Sequence, residues 1–229
     1  MTDKDQMKKT VGEYAATFIQ PNTAIGIGTG TTAYWMIMAL GEKVKQGFVI
    51  TAVPTSRQTG ELAASLGIPL VTLNDVDRLA LTIDGADEVD PSLRLIKGGG
   101  GALLQEKMVA AASDRMIVIA DEQKMVACLG KFPLPIEVIP FGWKQVQKRI
   151  GAPSALRMKD GQVFVTDHGN YILDAHFGAI DDPAGLGEAL HDIPGVVEHG
   201  LFINLATEVL IGYEDGSVKK ITAPRKEGG

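Results

Sequence analysis

Apolar positions in the first half of the chain switch between two periods, and each switch marks an element. Over residues 4–19, Met7, Val11, Tyr14, Ala15 and Phe18 share one helical face, and Pro21-Asn22 ends the run. Thr23–Ile27 is short and largely apolar, as in a buried strand. It leads through Gly28-Thr29-Gly30-Thr31-Thr32 into an apolar helix, Ala33–Leu40. Strands follow at Phe48–Val53 and Ile68–Leu73, around a helix at Ser56–Leu66 that Gly67 stops. Strands at Leu79–Ile83 and Leu93–Ile96 flank an acidic segment, before a helix at Ala102–Ala112 and a strand at Met116–Ala120. This alternation predicts an α/β fold, with a mostly parallel sheet covered by helices on both faces. Ligands of such sheets bind beyond the carboxyl ends of the strands. The glycine, acidic and lysine-bearing segments are all expected at such ends.

The texture changes near residue 130, at the stiff segment Lys131-Phe132-Pro133-Leu134-Pro135. A strand is expected at Ile136–Ile139, a helix at Trp143–Ile150, and strands at Ala155–Met158, Val163–Thr166 and Tyr171–Ala175, separated by hairpin-type turns. A helix at Asp182–His191 and a strand at Val196–Ile203 complete a small α+β unit with an antiparallel sheet. The hairpin Val209–Tyr213 and Val218–Ile221 is expected to return to the first unit. The expected division is a larger domain of residues 1–130 and 208–229 and a smaller one of residues 131–207.

Composition narrows the function classes. The chain has 229 residues, 45% of them apolar, enough for a buried core. A net charge of −6 gives no global attraction to nucleic acid or to an anionic membrane, so an anionic substrate needs local positive charge. The single cysteine, Cys128, excludes an internal disulfide and reads as a small buried apolar residue. The polar N-terminus lacks a signal core, and no apolar run approaches the roughly eighteen residues of a membrane span. A cytoplasmic protein is expected.

The chemistry concentrates in three segments. In Gly28-Thr29-Gly30-Thr31-Thr32, glycines turn backbone N–H groups toward an anion, hydroxyls add donors, and the helix N-terminus adds partial positive charge. Position 31 is threonine, which breaks G-x-G-x-x-G, and Val49–Ser56 lacks the acid that a dinucleotide site carries about 20 residues on. No lysine completes a P-loop. A compact phosphate ester fits better than a nucleotide, and a nicotinamide-dependent oxidoreductase is disfavoured.

Asp84, Asp87 and Glu88 follow an apolar strand. They read as a solvated turn, as carboxylates whose repulsion tunes a pKa, or as an all-oxygen magnesium site. Lys97 precedes Gly98-Gly99-Gly100-Gly101, a run whose backbone entropy cost argues for a functional loop. Glu106, early in the next helix, is either a favourable charge at a helix start or a base aimed into the site. The four histidines form no short ligand pair such as H-x-x-x-H and are expected on the surface or in hairpins. Lys8, Lys9 and Lys124 read as solvated lysines. On residues alone, the reading reaches proton transfer on a small phosphorylated molecule, without metal or cofactor.

These segments resemble the ribose-5-phosphate isomerase A family. The matching pieces are Gly26–Thr32 (GIGTGTT), Thr82–Glu88 (TIDGADE), Leu95–Glu106 (LIKGGGGALLQE), Ala120–Lys124 (ADEQK), Leu129–Pro140 (LGKFPLPIEVIP), Ile193–Phe202 (IPGVVEHGLF) and Val209–Gly212, in family order. The resemblance implies a Rossmann-like α/β domain with a smaller α+β, ferredoxin-like domain, assembled as a homodimer or a tetramer. It implies a metal-free aldose–ketose isomerase of the pentose phosphate pathway, interconverting D-ribose 5-phosphate and D-ribulose 5-phosphate. By motif, Glu106 becomes the base moving a proton between C1 and C2. Asp84 assists ring opening and Asp87 contacts the sugar. Lys97 and the N–H groups of Gly98, Gly99 and Gly100 stabilise an enediolate. Thr29, Gly30, Thr31, Thr32, Gly85, Ala86 and Lys124 line the site, with Lys8 a candidate for the phosphate. Gly101 stands where alanine is frequent, which is expected to loosen the loop. The competing expectation is a non-catalytic sugar-phosphate sensor, which could dispense with the base.

Overall fold

The computed structural model describes residues 3–222. In chain order it contains α1 (Asp3–Ala15), β1 (Thr23–Ile27), α2 (Thr31–Lys45), β2 (Ile50–Pro54), α3 (Arg57–Ser65), β3 (Leu81–Gly85), β4 (Glu88–Val89), β5 (Leu95–Ile96), α4 (Leu103–Ala111) and β6 (Met116–Asp121). There follow β7 (Leu134–Val138), α5 (Trp143–Gln147), β8 (Ser154–Leu156), β9 (Met158–Lys159), β10 (Gln162–Val163), β11 (Tyr171–Ala175), α6 (Pro183–His191), β12 (Val196–His199), β13 (Leu201–Phe202), β14 (Glu208–Gly212) and β15 (Val218–Thr222).

The main sheet has the order β15-β14-β6-β3-β1-β2, and every pairing in it is parallel except the edge pair β14–β15. Its inner strands are apolar on both faces because both are covered, while the edge strand β15 carries Lys219 and Lys220. Along β6, Ile117 and Ile119 enter the core shared with Val11, Met36 and Leu40. Met116, Val118 and Ala120 enter the opposite core with Leu95 and Phe202. The C-terminal hairpin joins this sheet, as expected. The extension of that domain to residues 1–2 and 223–229 lies outside the described residues.

The smaller sheet has the order β12-β7-β11-β8, wholly antiparallel. With α5 and α6 it forms the β-α-β-β-α-β arrangement of ferredoxin-like units. Ile136, Val138, Leu173, Val146 and Leu190 supply its own core. No helix among the described residues is long and apolar enough to cross a membrane.

Three departures from the expected elements shape the site. Ile68–Leu73 makes a single bridge, Leu70 to Ala52, and is not a strand. Pro69 has no N–H for a ladder, and Asp75 accepts from both the N–H and the hydroxyl of Thr72, turning the chain away. Leu95–Ile96 lies outside the parallel sheet, between β4 and β13 in a small antiparallel sheet. The strand expected over Val196–Ile203 divides at Gly200. There the chain leaves β7 for β5, and Gly200 accepts the N–H of Lys97 at 2.9 Å. Lys97 is thus hung from the second unit rather than from the main sheet.

Candidate active site

A cavity of about 180 Å³ opens beyond the carboxyl ends of β1 and β3. This is the switch point of the sheet, since β2 lies to one side of β1 and β3 to the other. Of the residues expected from sequence, Lys8, Thr29, Gly30, Thr31, Thr32, Gly85, Ala86, Asp87, Lys97, Gly98, Gly99, Gly100, Glu106 and Lys124 all line it. Asp84 does not. It is fully buried beneath the cavity, next to Lys97.

The floor is an ion-pair triad. Lys97 Nζ lies 3.1 Å from Asp84 Oδ2 and 3.2 Å from Glu106 Oε1, and donates to Gly85 O at 2.5 Å. Asp84 is fixed from the other side, its Oδ1 accepting from Thr29 N at 3.0 Å and Gly85 N at 2.7 Å. Gly28 is needed here, because a Cβ on it would overlap the Asp84 carboxylate. Glu106 reaches the floor from the first turn of α4, and its Oε2 is buried with no hydrogen-bond partner. Burial pushes the Glu106 carboxyl up to about 8, against the opposing pull of Lys97 and with added repulsion from Asp84. Burial works to lower Lys97, but the charges of Asp84 and Glu106 prevail and hold it above the ordinary lysine value. The triad therefore holds a permanent ammonium beside a carboxyl poised near neutrality.

The rim is cationic. Lys8 Nζ donates to Thr31 Oγ1 at 2.8 Å at the N-terminus of α2, with Lys4 and Lys124 along the same wall. Thr29 holds its hydroxyl in a cluster with Thr55, Ser56 and Thr59 and gives its N–H to Asp84, so neither is a free donor for a ligand. Asp87 accepts from Gly99 N at 2.7 Å on the opposite wall. Two further lining residues, Lys4 and Asp121, escaped the sequence reading. Asp121 ends β6, one strand beyond β3, and its place at a parallel strand's carboxyl end is the signal that could have found it. Lys4 carries no comparable signal.

The acidic segment does not act as one cluster. Glu88 points away and accepts from Gly130 N at 2.7 Å and Phe132 N at 2.6 Å, fixing the link into the second unit. Gly101 does not loosen its loop. It has φ +83°, and a Cβ on it would overlap the Phe164 ring. His199 is buried rather than exposed, beside His191 and Glu198, with ligand atoms all within 4.8 Å of one another. The Lys107 ammonium, 2.6 Å from Glu198 Oε1, already supplies the positive charge of that cluster, and His199 Nδ1 accepts from Leu201 N. Burial and Lys107 push the His199 imidazole down to about 3, so it stays neutral. Cys128 is half-buried, its thiol directed at the carbonyls of Leu129 and Ile180.

Fold and cavity together define a class: a Rossmann-like α/β protein whose switch-point cavity has a cationic rim and a buried carboxyl–ammonium floor. The chain belongs to the ribose 5-phosphate isomerase A (phosphoriboisomerase A) family, whose model matches residues 51–216. It is 54% identical over 214 residues to "Ribose-5-phosphate isomerase A" of Bacillus cereus, covering 92% of this chain and 97% of that one. It is 52% identical over 226 residues to the protein of the same name from Ruegeria sp., covering 94% and 86%. Among solved structures it is similar to a ribose 5-phosphate isomerase from Plasmodium falciparum, with TM-score 0.93 and 37% identity, covering 95% and 98%. It is also similar to a D-ribose-5-phosphate isomerase in complex with phospho-erythronic acid, with TM-score 0.91 and 43% identity, covering 94% and 97%.

Proposed function

We propose that this chain interconverts D-ribose 5-phosphate and D-ribulose 5-phosphate through a cis-enediolate, with Glu106 as the single base. The observation that carries the assignment of the base is the buried, unpartnered Glu106 Oε2, held on the cavity floor 3.2 Å (through Oε1) from the Lys97 ammonium. In the open-chain aldose, Glu106 removes the C2 proton. The electron pair forms the C1–C2 double bond, and the C1 carbonyl oxygen takes negative charge beside Lys97 and the glycine-loop N–H groups. Exchange of one proton between O2 and O1 follows, and Glu106 returns its proton to C1 as the C2 carbonyl forms. One carboxylate serves both carbons only if they present the same face, which the cis geometry supplies.

The phosphate lies at the Lys8–Thr31 rim, where Lys4, Lys124 and the N-terminus of α2 favour a dianion, and its binding energy orients the reacting carbons. Asp87, on the cavity wall, contacts the sugar and takes the anomeric hydroxyl proton as the C1–O4 bond breaks, the ring oxygen receiving that proton in turn. Asp84 assists that step through the Lys97 ammonium it holds. Lys97 occupies the space between Asp84 and Glu106 that a divalent cation would need, which favours chemistry without a metal. The reaction belongs to the non-oxidative branch of the pentose phosphate pathway. The family resemblance supports a cytoplasmic homodimer, with a tetramer as the alternative that sedimentation distinguishes. It also supports dividing the chain into residues 1–130 with 208–229 and residues 131–207.

Chelator-treated protein mixed with D-ribose 5-phosphate should form ribulose 5-phosphate, and Glu106→Gln should not. Near-normal turnover by Glu106→Gln would remove Glu106 as the base. Saturable sugar-phosphate binding with no turnover by the wild type would instead favour the sensor.

A further inference from the structure

The second unit reaches into the site through one side chain. Arg157 lies between β8 and β9. Its backbone is held on both sides, its N–H donating to Ile172 O at 2.8 Å and its carbonyl accepting from Phe164 N at 2.9 Å. Its guanidinium forms a bidentate pair with Asp174 of β11, Nε to Oδ2 at 2.9 Å and Nη2 to Oδ1 at 2.5 Å. The remaining nitrogen, Nη1, donates to Gly98 O at 2.7 Å and Gly99 O at 3.2 Å. The guanidinium also stands over the Phe164 ring, 5.9 Å from its centre, and that ring packs on Gly101. The side chain is only 13% exposed.

We infer that Arg157, oriented by Asp174, is a positioning residue for the isomerisation: it aims the Gly100 N–H at the developing oxyanion and keeps the Gly99 N–H on the Asp87 carboxylate. Resting on the isomerase reading above, the inference gives the smaller unit a part in catalysis. In a trans peptide the C=O and the following N–H point in opposite directions. Fixing the carbonyls of Gly98 and Gly99 on the Arg157 side therefore turns the N–H groups of Gly99 and Gly100 to the other side. There Gly99 N already donates to Asp87, and Gly98, Gly99 and Gly100 line the cavity. A run of four glycines has no side chains to hold this orientation itself, and unrestrained glycines populate many backbone states. The positive charge on the two carbonyls also polarises both peptides, strengthening their N–H groups as donors. A lysine cannot make this bridge, because two fixed bonds to Asp174 and a shared bond to two carbonyls need the planar fork.

The test is steady-state kinetics of wild type, Arg157→Met, Arg157→Lys and Asp174→Asn with D-ribose 5-phosphate, together with binding of phospho-erythronic acid. The planar carboxylate of that acid matches the enediolate in shape and charge. Wild-type turnover in the same assay establishes the isomerase reading independently of the variants. Arg157→Met should lower kcat roughly tenfold to a hundredfold while KM changes less than about threefold, since a full oxyanion donor is worth about 10²–10³ in kcat. Phospho-erythronic acid affinity should fall in proportion to kcat. Arg157→Lys and Asp174→Asn should fall between Arg157→Met and wild type. Unchanged kcat, a loss confined to KM, or analogue binding that does not follow kcat would overturn the assignment. If Arg157→Met does not fold, the same criteria apply to Asp174→Asn, which keeps the guanidinium.

Discussion

Glu106 should set the acid limb of the kcat/KM profile, and that limb should lie near pH 8 rather than near 4.5. The perturbation is pH itself. Burial raises the Glu106 carboxyl from 4.5 to about 8, the Lys97 charge opposing and the Asp84 charge assisting. That difference corresponds to about 5 kcal/mol of resistance to ionisation in the unliganded site. At pH 7 only about a tenth of the free enzyme then carries the base, and log kcat/KM should rise with unit slope to about pH 8 before flattening. The phosphate of the substrate titrates near 6, so measurements between pH 6.5 and 9.5 isolate the enzyme's group. Lys97 stays an ammonium across that window, because its own value is raised.

The assay is initial rates with D-ribose 5-phosphate at low substrate, repeated for Lys97→Met. Removing the ammonium deletes the one charge that lowers Glu106 and leaves the Asp84 repulsion, so the limb should move to higher pH as the plateau drops. A wild-type profile flat from pH 6.5 upward would refute the reasoning, since it would mean an ordinary, hydrated carboxylate. Stability gives an independent reading of the same group. A folded-state value above the unfolded one means that the contribution is complete below pH 4.5 and is lost as pH rises through 8. Glu106→Gln should therefore gain in melting temperature over wild type between pH 5 and pH 9, and parallel melting curves across that range would contradict the burial argument.

Three further outcomes follow from contacts outside the floor. Lys107→Met leaves Glu198, whose side chain is 14% exposed, to His191 and the His199 N–H, and should cost about 3 kcal/mol in urea unfolding; a loss under about 1 kcal/mol would mean that those partners and solvent already balance it. Glu88→Ala orphans the N–H groups of Gly130 and Phe132 and should cost about 2–5 kcal/mol with little change in kcat for the folded fraction, whereas a kcat loss without destabilisation would put Glu88 in the site. Prolonged chelation should leave turnover intact. Inactivation reversed by magnesium would show that a cation, not Lys97, balances Asp84 and Glu106.

Much of the fold was legible because its signals are local. β1 and β11 lie where the apolar runs predict them, and the two covered faces of the main sheet follow from strands alternating with helices along the chain. Ile68–Leu73 misled because apolarity does not reveal that Pro69 lacks a ladder donor or that Asp75 captures Thr72. The site was legible where chemistry clusters in sequence, as in the glycine–threonine turn and the lysine–glycine loop. It was illegible where partners are far apart. Arg157 lies 59 positions from Gly98, and nothing around it marks an arginine as more than a surface charge. His199 reads as exposed until the fold sets Gly187 of α6 against its ring and Lys107, 92 positions away, on its carbonyl.

The separation has a physical basis. Glycines before α4 permit the close backbone approach that an oxyanion needs, but the same freedom leaves the loop little orientation of its own beyond one turn bond, Gly101 N to Gly98 O, and the Gly99 N–H on Asp87. Something rigid must supply the rest, and the main sheet does so only through Asp87 beyond β3, because β5 is not one of its strands. The second unit does so at three points, through Gly200 on Lys97 N, Arg157 on the carbonyls of Gly98 and Gly99, and Phe164 against Gly101. Glu106 and Asp84 come from the first unit, while the groups facing the developing negative charge are held by both: Asp84 and Gly85 fix the Lys97 ammonium and Asp87 the Gly99 N–H, and the second unit holds the Lys97 backbone and the glycine carbonyls. The proton-transfer geometry is thus a property of how the two units are joined. Substitutions that loosen this junction without touching the cavity should lower kcat before they alter KM.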